Sequence, residues 1–180
     1  GAETDTDCGG DVCGPCPDLQ VCAAPTDCTS GVCTDAICQA ATCNDTVFNG
    51  AETGTDCGGP ICDPCDAGIG CLAPTDCVSR VCTDQVCQAA TCEDTVQNAA
   101  ETDVDCGGGV CPLCVNGQDC QSGDDCENRV CADDGVCRAA ACVDGVQNGA
   151  ETGLDCGGIC AGCAPGVACG VAADCQSGVC

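Results

Sequence analysis

The chain of 180 residues contains no His, Met, Trp, Tyr or Lys, and its single aromatic residue is Phe48. Carboxylates are therefore the only acid–base groups, and no Ser or Thr has a candidate base beside it. Paired carboxylates could serve a glycosidase, but such a site also needs a substrate cleft with stacking aromatic rings. We therefore predict that the chain is not an enzyme.

Positive charge is also nearly missing. The basic residues are Arg80, Arg129 and Arg138, and the net charge is −26. This balance excludes nucleic acid as a partner, because no basic surface exists to displace counterions from phosphates, and it disfavours anionic membranes for the same reason. Divalent cations are the natural counter-charge. The alternative is that acidity only keeps a secreted protein soluble.

The sequence contains no apolar run long enough to insert into and span a membrane. It starts without Met or a signal peptide, so we expect a mature, exported segment. What it has in abundance is cysteine, with 30 residues, which predicts a disulfide scaffold in an extracellular or cell-surface location. Large apolar side chains are too few for a hydrophobic core to stabilise the fold, so crosslinks must do so.

The cysteines recur with a period of about 49 residues, marked by Cys8, Cys57, Cys106 and Cys156. A full repeat has eight cysteines. We divide the chain into repeat 1 (1–43, truncated at its start), repeat 2 (44–92), repeat 3 (93–142) and repeat 4 (143–180, truncated at its end). The predicted fold class is a small disulfide-rich repeat protein, a linear array of eight-Cys units with little regular secondary structure.

Segments between cysteines are too short for regular helices. We expect turns at the Gly-Gly and Asn-Gly pairs, a short hairpin formed by residues 79–82 and 85–87, and one helical turn near Ala51-Glu52-Thr53. The pairing of the cysteines cannot be deduced, because eight cysteines allow about 105 connectivities, and pairing across repeat boundaries is open.

Each repeat also contains one CxxC pair, such as Cys62 and Cys65. A zinc site usually needs a second such pair or histidines, and a redox motif needs a βαβ domain. A metal-thiolate store would favour CxC clusters and lysines. Structural disulfides are therefore the favoured interpretation.

One stretch recurs almost unchanged. It reads DTVFNGAETGTDCGG from Asp45, DTVQNAAETDVDCGG from Asp94 and DGVQNGAETGLDCGG from Asp144, and it always fills a gap of 14 positions between cysteines. Other gaps vary in length. A segment without an internal crosslink should be the freest to vary, so we infer that something other than disulfides sets its geometry.

This stretch places hard oxygen ligands at positions i, i+4, i+7 and i+11, a donor set that suits calcium. The predicted calcium ligands are Asp45, Asn49, Glu52 and Asp56, then Asp94, Asn98, Glu101 and Asp105, then Asp144, Asn148, Glu151 and Asp155, with Glu3 and Asp7 in repeat 1. The spacing matches no EF-hand loop. The alternative is that these side chains cap turns through backbone hydrogen bonds, and both interpretations stay open.

Three residues are candidates for glycosylation. Asn44 begins an Asn-Asp-Thr sequon, and Thr26 and Thr75 each follow a proline just before a cysteine. The alternative is that all three are unmodified surface residues.

At these residues the chain resembles the Cys-rich tandem repeats of large secreted and surface proteins of bacteria. Those repeats carry a pattern like C-x-DGVxNGxETDxDCGGxCxxCxxGxxC, followed by DCxSxVCxxxxC. The matching residues include Asp144-Gly145-Val146, Asn148-Gly149, Glu151-Thr152, Asp155-Cys156-Gly157-Gly158 and 174–180. The chain departs from the pattern at Thr46 and Thr95, where the pattern has Gly, and at Gly54 and Gly153, where it has Asp.

The resemblance implies an extracellular, stalk-like or surface role without an established activity. We predict a structural protein, stiffened by calcium, that forms or extends a fibre, stalk or surface layer by head-to-tail self-association, since both chain ends fall within a repeat. A window onto a longer array fits those ends equally well. The alternative function is a surface-displayed adhesion or ligand-binding module, with glycans as further candidate partners.

Overall fold

The computed structural model describes residues 3–180 and contains very little regular secondary structure. The chain forms two compact units, 1–90 and 91–180. In the first unit the elements are the 3-10 helices Pro25–Asp27 and Pro74–Asp76 and the strands β1 (Cys33–Thr34), β2 (Ile37–Cys38), β3 (Cys82–Thr83) and β4 (Val86–Cys87). The second unit contains the 3-10 helices Gly123–Asp125 and Ala172–Asp174.

Two tight hairpins form the sheets of the first unit. Strands β1 and β2 pair antiparallel, as do β3 and β4, with Cys82 opposite Cys87 and Thr83 opposite Val86. Both residues of the second turn, Asp84 and Gln85, have positive φ values of 51° and 62°, as expected of a type I′ hairpin turn. The predicted hairpin is therefore present, although its first strand begins only at Cys82.

The second unit replaces this hairpin with a single bridge between Cys131 and Cys137. These cysteines are one residue further apart than Cys82 and Cys87. The longer loop places Gly135 at φ 76°, a conformation that costs glycine little.

The 3-10 helices lie immediately before a cysteine. In Pro74–Asp76, proline supplies a backbone already fixed for the first helical position, and Cys77 N donates to Pro74 O at 3.1 Å. The helical turn expected at Ala51-Glu52-Thr53 is wrong, because those residues form turns and bends.

Fourteen disulfides pair 28 of the 30 cysteines, which confirms the predicted disulfide-rich fold class. Three of them close loops inside each of repeats 1 to 3. In repeat 2 these are Cys57–Cys65, Cys71–Cys82 and Cys77–Cys87. Equivalent pairs occur in repeat 1 and repeat 3, and repeat 4 has Cys156–Cys163 and Cys169–Cys180.

Three further disulfides cross the repeat boundaries, and we call them the inter-repeat disulfides. They are Cys43–Cys62, Cys92–Cys111 and Cys142–Cys160. Each one encloses the recurring acidic stretch. As expected, no crosslink lies within the gap between Cys43 and Cys57, and the disulfide that encloses this gap joins Cys43 to Cys62, beyond the next cysteine.

Cysteines also form the interior. The buried cluster of repeat 2 consists of Cys65, Cys71, Cys77 and Cys87, and matching clusters occur in repeats 1 and 3. Aliphatic side chains lie largely outside these clusters, and Ile61 is 78% exposed. Crosslinked sulfur, rather than apolar packing, therefore fills the centre of repeats 1 to 3.

Candidate functional site

The recurring stretch folds around Asp45, which closes a turn at the repeat boundary. Its Oδ2 accepts a hydrogen bond from Thr42 N at 2.7 Å, and its Oδ1 accepts one from Val47 N at 3.0 Å. The hydrogen bond from Thr42 is the main cause that holds the pKa of Asp45 below its ordinary value. Asp94 and Asp144 make the same two backbone contacts in their repeats.

Asp56 closes the stretch from the other end. Its backbone is left-handed, with φ 59°, and its carboxylate accepts hydrogen bonds from Asp45 N at 2.8 Å and Thr46 N at 3.0 Å. Asp105 and Asp155 accept equivalent bonds from Thr95 N and Gly145 N. These bonds join positions ten or eleven residues apart, so they fix the length of the stretch.

Asn49 links the stretch to the preceding repeat. Its Nδ2 donates to Ser30 O at 2.8 Å and to Asp45 Oδ2 at 3.1 Å. Asn148 Nδ2 donates in the same way to Asn128 O at 2.8 Å. The Oδ1 atoms of Asn49 and Asn148 are buried and accept no hydrogen bond from any residue in the described part of the chain.

The two carboxylate oxygens of Glu52 contact different groups. Its Oε2 accepts a hydrogen bond from Asn49 N at 3.2 Å, while its Oε1 lies 3.7 Å from the disulfide sulfur of Cys62. In repeats 3 and 4, Glu101 and Glu151 lie 3.4 Å from the sulfurs of their own inter-repeat disulfides. In repeat 1, Glu3 accepts a hydrogen bond of 3.3 Å from the free thiol of Cys13.

The structure thus brings the four predicted ligand positions of each full stretch together. In repeat 2, hydrogen bonds join Asp45, Asn49 and Glu52, and Asp56 accepts the bonds that the turn amides donate. In repeat 1, Asp7 has the same left-handed backbone as Asp56, with φ 58°. Hydrogen bonds from the turn amides to Asp56 and its counterparts account for the constant length without an ion, whereas the inter-repeat disulfides join cysteines 19, 19 and 18 positions apart. Calcium stays a prediction.

A second set of acidic residues was not predicted. Asp76 is 4% exposed and accepts three backbone hydrogen bonds, from Leu72 N at 2.8 Å, Ala73 N at 2.9 Å and Gly59 N at 3.1 Å. These bonds lower its pKa, and that from Leu72 contributes most. Asp27, Asp125 and Asp174 make three equivalent bonds each. The signal in the sequence was an Asp-Cys pair at this position in all four repeats.

The glycine after each first cysteine packs against a threonine hydroxyl. A Cβ atom on Gly58 would lie 2.0 Å from Thr53 Oγ1, and the φ of Gly58 is 73°. Gly107 has the same relation to Thr102, at 1.9 Å. Close approach and left-handed backbone together explain why Glu-Thr and Cys-Gly recur as a set.

Two of the four departures from the bacterial repeat pattern, Gly54 and Gly153, have a structural reason. In repeats 1 and 3, Asp5 and Asp103 accept hydrogen bonds from Val21 N and Asp119 N. In repeat 2 this position is Gly54, and a Cβ there would lie 2.2 Å from Ile69 Cγ2. Repeat 4 has the same relation between Gly153 and Val167. An aliphatic side chain therefore occupies the space that the aspartate would need.

The residue at position 69 and its counterparts change together with the residue at position 54. With its amide nitrogen oriented toward Asp5, Gln20 donates to that carboxylate at 2.5 Å. Gln20 is the counterpart of Ile69, and repeat 3 likewise has Gln118 with Asp103. Repeat 1 thus has a polar contact where repeats 2 and 4 have an aliphatic side chain. In repeat 3 the Oε1 of Gln118 accepts a hydrogen bond from Val115 N, and Asp103 accepts one from Asp119 N.

The candidate glycosylation residues all lie on the surface. Asn44 is exposed in the connection between repeats 1 and 2, beside an open hollow of about 570 Å³ that is lined mainly by polar residues such as Gln39 and Thr42. Thr26 and Thr75 are exposed at the middle positions of their 3-10 helices. Modification of all three residues stays a prediction.

The CxxC cysteines do not pair with each other. Cys62 pairs with Cys43 and Cys65 pairs with Cys57, so the two residues of the motif serve different structural crosslinks. Cys13 and Cys175 are the two cysteines outside the fourteen disulfides.

Two smaller cavities adjoin the inter-repeat disulfides. That beside Cys43–Cys62 has a volume of about 120 Å³, and that beside Cys142–Cys160 about 40 Å³. Both lie between the disulfide, the Asn-Gly turn and an isoleucine, Ile61 or Ile159. They are smaller than the sites that usually enclose a small-molecule ligand.

No protein-family model, curated protein or solved structure matches this chain. Within residues 3–180, no helix has both the length and the apolar character needed to cross a bilayer. The fold and its crosslinks define a small disulfide-rich protein, of the kind found in oxidising, extracellular surroundings.

Proposed function

We propose that this chain is a structural protein of the extracellular space, built as a crosslinked array that forms or extends a fibre, stalk or surface layer. The observation that carries the proposal is the set of inter-repeat disulfides. They connect successive repeats covalently, so a pull on the chain is transmitted through sulfur bridges as well as through the backbone. The resemblance to bacterial surface repeats points to the same kind of role.

Calcium belongs to this proposal because of charge. A net charge of −26 on a 17.4 kDa chain opposes close approach of two copies, and three arginines cannot offset it. A bound divalent cation reduces that repulsion. Asn49 Oδ1 is a buried carbonyl oxygen that accepts no hydrogen bond within residues 3–180, and the nitrogens of Asn49 donate to the carboxylates of Glu52 and Asp45. Carbonyl and carboxylate oxygens are the ligands that calcium takes.

Calorimetric titration of the oxidised protein tests the ion. We expect heat on adding calcium, and its loss when Asp45, Asp94 and Asp144 are all changed to Asn. The matched control changes exposed aspartates outside the stretch, starting with Asp66→Asn, and should leave the heat in place. A wild-type protein that gives no heat, and whose melting temperature does not respond to a chelator, would remove calcium from the proposal.

Self-association needs a separate test. Light scattering and electron microscopy of oxidised protein, with and without calcium, should show particles larger than one chain in the presence of the ion. Sodium chloride at equal ionic strength distinguishes general screening from bound calcium. Single 17.4 kDa chains under every condition would refute assembly.

Adhesion is a second candidate function, favoured by the open hollow beside Asn44. Its volume of about 570 Å³ falls within the usual range of ligand sites, and its polar lining could orient a ligand. A screen of immobilised glycans and peptides with oxidised protein tests it. Binding that is lost in Gln39→Ala would favour adhesion, and no binding to any probe would leave the structural role alone.

A further inference from the structure

In every inter-repeat disulfide, solvent reaches both cysteines. Both cysteines of each pair are partly exposed. Inside the repeats, every disulfide contains at least one buried cysteine apart from Cys169–Cys180. External thiols therefore reach the inter-repeat disulfides and Cys169–Cys180 more readily than the other crosslinks, although continuity between repeats depends on the inter-repeat disulfides.

Each inter-repeat disulfide has a glutamate against it. The distance from carboxylate oxygen to disulfide sulfur is 3.7 Å for Glu52 and 3.4 Å for both Glu101 and Glu151. The other carboxylate oxygen of each glutamate accepts a hydrogen bond from a backbone amide, that of Asn49 in the case of Glu52. A disulfide sulfur has no hydrogen to donate, so hydrogen bonding to the sulfur does not explain this recurring contact.

We propose that Glu52, Glu101 and Glu151 protect the inter-repeat disulfides from exchange with external thiolates. The amide anchors one oxygen of each carboxylate and thereby directs the other, with its negative charge, at the sulfur that a thiolate must approach.

The chemistry of exchange explains the protection. A thiolate attacks one sulfur of Cys43–Cys62, a mixed disulfide forms, and the other cysteine leaves as a thiolate that takes a proton from water. A second external thiolate then releases the remaining cysteine. The protein disulfide gains two electrons, and two external thiols are oxidised to one disulfide. Negative charge beside Cys62 repels the attacking thiolate and makes Cys62 a poorer leaving group.

Repeat 1 shows the same contact with a reduced sulfur. Cys13 is a free thiol that donates a hydrogen bond to Glu3 at 3.3 Å. A carboxylate therefore lies against the sulfur at this position in all four repeats.

The test is made in calcium-free buffer, because calcium bound to Glu52 would neutralise its charge. It measures reduction of the oxidised full chain by two thiols of opposite charge, anionic 2-mercaptoethanesulfonate and cationic cysteamine. Acid quenching, alkylation and mass spectrometry quantify opening of Cys43–Cys62. In Glu52→Gln, reduction by the anionic thiol should accelerate about three- to tenfold, the order expected for one charge at this range in a partly solvated setting. Reduction by the cationic thiol should accelerate much less.

The ratio of the two rates decides the question. A change of structure alone would open the disulfide to both thiols equally, so an unchanged ratio in Glu52→Gln overturns the proposal. Two controls accompany it. Cys92–Cys111 in the same molecule should keep its rates, and Glu127→Gln, which removes an exposed carboxylate elsewhere, should leave Cys43–Cys62 unaffected.

A second measurement does not depend on oxidative folding of the variant disulfide. Cys13 is outside the disulfides, so its alkylation by anionic iodoacetate and neutral iodoacetamide can be followed directly. Glu3→Gln should increase the iodoacetate rate more than the iodoacetamide rate. Equal rates before and after the substitution would contradict the role assigned to this carboxylate.

Discussion

Closed disulfides should limit how far this chain can be stretched, and reduction should more than double that limit. Residues 3 to 180 reach about 620 Å when fully extended, at about 3.5 Å per residue. With the disulfides closed, the shortest covalent path crosses eight disulfides, whose Cα atoms are 5.0–6.1 Å apart. The path also includes about 70 backbone residues, which gives about 290 Å in total.

Single-molecule force spectroscopy with handles at both chain ends measures this length directly. Removing one inter-repeat disulfide should lengthen the oxidised chain by a defined amount. In the double variant Cys43→Ser, Cys62→Ser, the path from residue 43 must run along the backbone to Cys57 before it can cross to Cys65, so the oxidised chain should lengthen by about 40 Å. The matched control is Cys13→Ser, Cys175→Ser, which removes the two free thiols and should leave the length unchanged.

Two results would refute the reasoning. An oxidised wild-type chain that extends far beyond 290 Å would mean that the disulfides do not carry the tension. Equal lengths for the wild type and the Cys43, Cys62 variant would mean that the inter-repeat disulfide is not part of the tensioned path.

Three further predictions concern the hydrogen bonds and packing within a repeat. Replacing Asp76 by Asn should lower the free energy of unfolding, measured by calorimetry with disulfides closed, by about 2 to 4 kcal/mol, because three amides lose a charged acceptor; a similar loss in exposed Asp66→Asn would contradict this. Because the pKa of Asp76 is lowered in the fold, its contribution to the free energy of unfolding should be complete above about pH 4 and decline as the pH falls further. The melting temperature of the wild type should therefore fall more steeply with decreasing pH than that of Asp76→Asn. Gly54→Asp should cost about 1 to 3 kcal/mol by collision with Ile69, and the additional change Ile69→Gln should restore most of it; a double variant as unstable as the single one would contradict the exchange seen between repeats.

The sequence was sufficient for the class of fold. The number and spacing of cysteines, with few large apolar side chains, predicted a crosslinked protein with little regular structure. The hairpin predicted from residues 79–82 and 85–87 is present, with its turn at Asp84-Gln85 rather than at Thr83-Asp84. The disulfide pairing could not be predicted from the sequence. Loop-closure entropy changes slowly with loop length, so it hardly separates Cys43–Cys62 from a pairing with a shorter loop.

The acidic residues show a different limit. Hydrogen bonds join Asp45, Asn49, Glu52 and Asp56, which the spacing had grouped as one set. Oxygen atoms that suit a cation also suit backbone amides, so spacing alone could not separate the two interpretations. Asp76 was missed because a lone aspartate before a cysteine resembles an ordinary surface residue. Only the structure reveals its role, because the Asp76 carboxylate accepts bonds from the amides of Leu72 and Ala73, just before the 3-10 helix, and from Gly59 N in the Gly-Gly turn.

The course of the inter-repeat disulfides determines where a single module could be cut out for synthesis. A peptide covering residues 43–91 contains eight cysteines, and all eight pair among themselves. A peptide of the same length starting one residue later exchanges Cys43 for Cys92 and has no native partner for either Cys62 or Cys92. Oxidative refolding of the two peptides should therefore diverge, with one native isomer from the first and scrambled or dimeric products from the second.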